Sequence, residues 1–254
     1  MAIQRTRRWL SVMALIGALD RVRADDGPRF LVKGGVSIEL RLGLRVRATK
    51  DVDLVFRGGA DEMLDALEGA FTQPYAGFAF RRKGDIEDIR DTGSRRLDIQ
   101  LSFAGREWQT LQLEIAKPEA DELEFVPVAV GISDFGLDSP ERVACLSLRY
   151  QVAQKLHAVT EQPPDRPNLR FWDLIDLILL EALLDDDLTP LRDAAISIFE
   201  ARGTHAWPPD LNIPEAWRAP YAASVAEIEA GLPANVDEAA VRVRALIAAI
   251  AEPR

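Results

Sequence analysis

KGGVSIELRLGLRVRATKDVDLVF, residues 33–56, holds a glycine pair, an apolar helical segment, a basic run and two aspartates one residue apart. Asp51-Val52-Asp53-Leu54-Val55-Phe56 alternates with period two, which predicts a strand sending Val52 and Leu54 into a core and both aspartates to the opposite face. Two carboxylates on one patch repel each other, and a hard divalent cation with oxygen ligands, Mg²⁺, removes the conflict. The other reading of Asp51 and Asp53 is a pair of solvated strand residues. Gly34 and Gly35 stand where a strand, Phe30-Leu31-Val32, ends and a helix from Val36 to Leu42 begins. Glycines permit a tight turn there and leave the first helical amides open to an anion such as phosphate.

Upstream, Arg5-Thr6-Arg7-Arg8 followed by an apolar run from Trp9 imitates a secretory signal peptide. The apolar positions continue through Leu19 and Val22 with Asp20, Arg21 and Arg23 opposite them, so an amphipathic first helix ending near Asp25-Asp26-Gly27-Pro28 is expected instead. No apolar run approaches the ~20 residues that span a bilayer, so no membrane association is expected. The 254 residues, 48% apolar and 28% charged, suffice for one or two buried cores. Lys plus Arg number 31 against 41 for Asp plus Glu, a net charge of −10, so any nucleic-acid contact must be local. The single cysteine, Cys145, lies in a stretch read as helical. It excludes an intrachain disulfide or a cysteine-rich zinc site and fits a reducing cytoplasm.

Downstream, Asp61 to Phe71 reads as an amphipathic helix and Phe78 to Lys83 as a strand running into a basic tip. In Arg95 to Phe103, Leu97, Ile99, Leu101 and Phe103 face inward, which leaves Asp98 on the open face. Asp98 is either paired with Arg96 or Arg82 across the sheet or available to a site. Glu114, in the alternating strand Leu111 to Ile115, is a second and weaker candidate for the same place. Arg45, Arg47, Arg81, Arg82 and Lys83 form a local basic rim suited to RNA phosphates.

From Pro140 onward helices are predicted over Glu141–Glu161, Phe171–Asp186, Pro190–Arg202 and Val236–Ala251, which places a boundary between domains 1–138 and 139–254. Lys155 lies beside the apolar stripe Leu148, Val152, Leu156, Val159, and either snorkels to solvent or reaches a cleft between the halves. Asp173 and Asp176 share one face of an almost wholly apolar helix. Favourable interaction with the helix N-terminus is one account of both. His157 and His205 lack partners at metal spacing, and no Gly-x-Ser-x-Gly elbow is present.

Gly34-Gly35 followed by Asp51-x-Asp53 resembles the signature of the nucleotidyltransferase superfamily. With Arg47-Ala48-Thr49-Lys50 before Asp51, Lys155-Leu156-His157-Ala158, and Asp173-Leu174-Ile175-Asp176-Leu177, the chain resembles more narrowly the AbiEii/AbiGii toxin family, which includes the MenT-type toxins. Arg170 departs from that pattern, because two residues separate it from Asp173. The resemblance implies an α+β fold: an N-terminal nucleotidyltransferase (polymerase-beta-like) mixed sheet with helices, then a C-terminal helical domain. It implies catalysis by Asp51, Asp53, Asp98, Lys155 and Asp173, with Mg²⁺ held by Asp51, Asp53 and Asp98. The NTP would be bound by Gly34, Gly35, Thr49, Lys155 and Asp176. It further implies a cytoplasmic toxin that adds a nucleotide to RNA, with the tRNA 3′ end as acceptor, and that is restrained by a cognate antitoxin. Two alternatives stand beside it: a nucleotidyltransferase acting on a protein or small molecule, and a non-catalytic nucleotide-binding module.

Overall fold

The computed structural model describes residues 3–44, 49–89, 93–120, 122–228 and 230–252. In chain order the first part carries α1 (Ile3–Leu19), a two-residue ribbon of β1 (Arg23–Ala24) and β2 (Gly27–Pro28), then β3 (Phe30–Val32), α2 (Gly34–Leu42), β4 (Val52–Phe56) and α3 (Glu62–Ala70). Three long strands follow, β5 (Phe78–Ile89), β6 (Ser94–Phe103) and β7 (Arg106–Ala116), and the short β8 (Leu123–Pro127) and β9 (Arg142–Leu146) close the part. β3 to β9 form one mixed seven-stranded sheet in the order β5-β6-β7-β4-β3-β9-β8. β4 runs parallel to β7 and antiparallel to β3.

The alternation expected of β6 and β7 is present: Leu97, Ile99, Leu101, Leu111, Leu113 and Ile115 are all buried. They join Val52, Leu54 and the residues of α1 in one core. α1 is not amphipathic over its second half, because every residue from Trp9 to Leu19 is buried. An apolar run that imitates a signal peptide is here a helix covered on all sides, which is the other circumstance that removes a polar face.

The chain divides into two compact units between Leu146 and Ser147, not at the expected 138/139. Residues 142–146 were expected in a helix but form β9, parallel to β3 and antiparallel to β8. Val143-Ala144-Cys145-Leu146 is a short, fully buried apolar run, and periodicity alone cannot separate helix from strand in such a segment. Cys145 is therefore a core strand residue, its thiol pKa pushed up to about 12 by burial.

The second unit contains α4 (Leu148–Thr160), α5 (Phe171–Glu181), α6 (Thr189–Arg202), α7 (Arg218–Val225) and α8 (Val236–Ala251). α5 stops short of the expected Asp186; Asp185, Asp186 and Asp187 would each oppose the negative end of a longer helix. α7 contains Pro220. That proline occupies the first turn, where its missing N–H costs nothing. Trp217 and Tyr221 are wholly buried there, and Trp217 Nε1 donates to the Asn168 carbonyl at 2.6 Å.

Candidate functional site

β3 leads directly into α2 through Lys33 and Gly34, and α2 begins at Gly34 rather than at Val36. Lys33 N–H donates to the Asp53 carbonyl at 2.9 Å, which carries the β3–β4 pairing up to the turn. Gly34 has φ +62°, and a Cβ added there would lie 2.9 Å from Asp53 Cγ and closer still to Oδ2. Only glycine lets the Asp53 carboxylate rest against the first turn of α2, where unsatisfied amides favour negative charge. The turn and the carboxylate are therefore one structural unit.

Asp51 and Asp53 are both half-buried, while Val52 and Leu54 between and beyond them are 0% exposed. The expected alternation is kept, although the paired strand begins only at Val52. Asp51 is thus outside the ladder, and its carbonyl instead accepts from Thr49 Oγ1 at 3.3 Å and from Arg8 Nη2 at 3.5 Å. Thr49 is buried. Arg8 in turn donates from Nη1 to Glu39 Oε2 at 3.2 Å. Burial lowers the Arg8 pKa, against the opposing effect of Glu39.

Register decides the neighbours. Asp53 is directly opposite Glu114 across the parallel β4–β7 ladder, and Glu114 is opposite Arg96 on β6. Arg96 Nη2 donates to Glu114 Oε2 at 3.2 Å and Arg96 also pairs with Glu87 at 3.5 Å, so the row holds two adjacent acids, Asp53 and Glu114, followed by a cation and a third acid. Asp98 is on β6, opposite Gln112 of β7 and Lys83 of β5. β7 separates it from β4, which puts Asp98 two strand spacings, about 10 Å, from the aspartate strand. Of the two downstream acids, the sheet brings Glu114 to Asp53, and Asp98 lies beyond it.

A hard cation suits this place. The donors are carboxylate oxygens, but among the described residues no group of three or more His, Cys, Asp or Glu could hold a metal ion, so the expected set of Asp51, Asp53 and Asp98 is not assembled. Mg²⁺ is ordinarily held by one or two carboxylates together with substrate phosphates, not by an all-protein cage.

In the second unit, Lys155 of α4 neither snorkels nor stands free. Its Nζ donates to Asp173 Oδ1 at 2.8 Å and to Asp176 Oδ2 at 2.7 Å. Lys155 is 9% exposed and Asp176 0%. Burial works against the ammonium, but the two aspartates outweigh it and raise the Lys155 pKa well above the ordinary lysine range. The aspartates of α5 therefore serve chiefly as its counter-charges. Arg170 reaches Asp173 at 3.9 Å despite the two residues between them.

Of the expected basic rim, Arg81 and Lys83 are exposed on β5, and Arg82 is paired with Glu68 at 3.2 Å. Arg45 and Arg47 lie outside the described residues. The two histidines are structural: His157 Nε2 and His205 Nδ1 share the Thr204 hydroxyl at 3.0 Å each. The pair unforeseen in the sequence is Arg8 and Glu39. The available signal was a single acid, Glu39, between Ile38 and Leu40, in a helix whose middle is buried.

A family model described as "Nucleotidyl transferase AbiEii toxin, Type IV TA system" matches residues 17–242. Among solved structures, "MenT4, nucleotidyltransferase toxin Rv2826c from Mycobacterium tuberculosis H37Rv" matches with TM-score 0.66 and 18% identity, over 100% of this chain and 87% of that one. That likeness shows a shared fold. A crystal structure of ANT(2")-Ia in complex with adenylyl-2"-tobramycin matches at TM-score 0.40 and 19% identity, over 77% of this chain and 98% of that one. No curated protein matches by sequence.

Proposed function

The chain belongs to the AbiEii family of nucleotidyl transferase toxins of type IV toxin–antitoxin systems, and from that premise we propose that it transfers a nucleotide from an NTP to the 3′ end of tRNA and so blocks translation. The observation that carries the proposal is the packing of the Asp53 carboxylate against the Gly34 turn at the start of α2. A metal-binding oxygen and an anion-binding helix end thereby meet at one point, as a metal–triphosphate requires.

In this reading Asp51 and Asp53 hold Mg²⁺, and Gly34 and Gly35 present backbone amides to the triphosphate. Bound there, Mg²⁺ supplies neutralisation of the phosphate charge and stabilisation of in-line displacement at the α-phosphorus. Glu114, beside Asp53 and oriented by Arg96, takes the third carboxylate role in preference to Asp98 and accepts the proton of the attacking hydroxyl. Asp98 shapes the neighbouring polar row with Lys83. Thr49 fixes the main chain at Asp51. Lys155 gives two of its three N–H donors to Asp173 and Asp176 within the second unit, and the third is left to an anion.

Arg81 and Lys83 offer exposed charge to an RNA backbone. A cognate antitoxin restrains the activity, and the protein acts in the cytoplasm. Among the described residues no helix is long and apolar enough to cross a membrane. The test is to express the protein without its antitoxin and to incubate purified protein with Mg²⁺, each labelled NTP, total tRNA and cell protein. Growth arrest with label on tRNA supports the proposal. Label confined to protein or a small molecule overturns the acceptor, and no label with any NTP overturns the transferase reading.

A further inference from the structure

Glu39 is 1% exposed, an acid in the core of the first unit, and the metal site does not use it directly. Its partners are Arg8, at 3.2 Å, and Arg5, at 3.7 Å, both from α1. A buried ion pair is weak evidence for stability, because the desolvation of both charges offsets much of their attraction and apolar replacements are often neutral or better. This pair is not optimised for stability either: Arg8 Nε is buried without a hydrogen-bond partner.

What the pair does hold is Asp51. β4 begins at Val52, so the sheet ladder does not fix the Asp51 main chain. The Asp51 carbonyl is held instead by Thr49 Oγ1 and by the second arm of the Arg8 guanidinium, whose first arm is engaged by Glu39 on α2. Arg8 thus links α2 to the residue that precedes β4. The planar fork of arginine can span two acceptors in this manner, which a lysine cannot do with the same geometry.

We infer that Arg8 is a positioning residue for the carboxylate pair: clamped by Glu39, it fixes the Asp51 main chain and so sets the affinity of Asp51 and Asp53 for a divalent cation. The inference rests on the metal-binding reading of those aspartates. Groups that orient metal ligands in this way are worth about 10–100-fold in metal affinity.

The test is Mn²⁺ binding to the full chain, with inorganic triphosphate in place of the nucleotide, measured by the enhancement of water-proton relaxation over Mn²⁺–triphosphate alone and accompanied by thermal melting. The variants are Arg8→Lys, the double Arg8→Met/Glu39→Leu, and Asp53→Asn as reference. Arg8→Lys keeps a cation beside Glu39 and loses the arm to Asp51; the double variant removes the buried charges together and is expected to melt near the wild type. Both should bind Mn²⁺ about 10–100-fold more weakly. A purely structural role predicts that the double variant recovers melting and Mn²⁺ affinity together, and that outcome overturns the inference. If the double variant does not fold, Arg8→Lys decides alone: wild-type affinity overturns the inference, and weakened affinity at an unchanged melting temperature supports it. If the wild type shows no Mn²⁺ binding that Asp53→Asn removes, the metal reading fails and takes this inference with it, whereas intact wild-type binding with unaffected Arg8 variants refutes the inference alone.

Discussion

Gly34 and Asp53 are packed so closely that a methyl group on the glycine would overlap the aspartate carboxylate. With φ at +62°, Gly34→Ala also carries backbone strain, about 1–2 kcal/mol for an L-residue in the left-handed region. The variant is predicted to lose transfer through displacement of Asp53 while melting only a few degrees lower. Paired activity and melting measurements check this; full activity would mean that the turn does not set the carboxylate.

The third carboxylate is assigned by register. Glu114→Gln is expected to reduce transfer far more than Asp98→Asn, because Glu114 adjoins Asp53 and Asp98 is two strands away. Single-turnover rates of the two variants at saturating Mg²⁺ decide between them, and a larger effect at Asp98 would reverse the assignment.

Lys155→Ala is predicted to relieve growth arrest, but it also leaves Asp173 and Asp176 without their shared cation, a loss of about 3–5 kcal/mol for a broken buried pair. Relief of toxicity therefore has to be read beside the melting temperature of the purified variant. The sign of the pH dependence follows from the raised Lys155 pKa. The stabilisation is fully present below the unfolded lysine value of about 10.4 and is lost as pH rises from there toward the folded value. Stability attributable to the triad should be flat from neutral pH to about pH 10, and a decline already at pH 8 would contradict it.

The acceptor is tested through salt. Arg81→Gln with Lys83→Gln should lower the slope of log K for tRNA against log salt by about 2, one for each phosphate that no longer meets a cationic side chain. Arg82→Gln should do less, since that side chain is already paired with Glu68. An unchanged slope in the double variant would place the RNA elsewhere.

Local patterns carried much of this in the sequence. Gly34-Gly35 and Asp51-x-Asp53 announced the turn and the strand, and the alternation in residues 95–103 and 111–115 announced β6 and β7. What was not legible was long-range. Nothing local indicates that β7 inserts between β6 and β4, and this insertion makes Glu114 rather than Asp98 the neighbour of Asp53. The spacing of Asp173 and Asp176 put both on one helix face, but their common partner is on another helix, 18 and 21 residues upstream. The strand at residues 143–146 and the lack of sidedness in the second half of α1 were missed for one reason: full burial removes the polar face by which periodicity is recognised.

The central claim is that Asp51 and Asp53 carry a Mg²⁺-dependent nucleotide transfer to RNA, and the most direct measurement is incorporation of α-labelled NTP into tRNA by the wild type, Asp51→Ala and Asp53→Ala. All three are expected to fold, because both side chains lie off the buried face. Labelled tRNA is expected from the wild type, none when Mg²⁺ is chelated, and none from either variant. Undiminished labelling by the folded Asp51→Ala and Asp53→Ala proteins would contradict it.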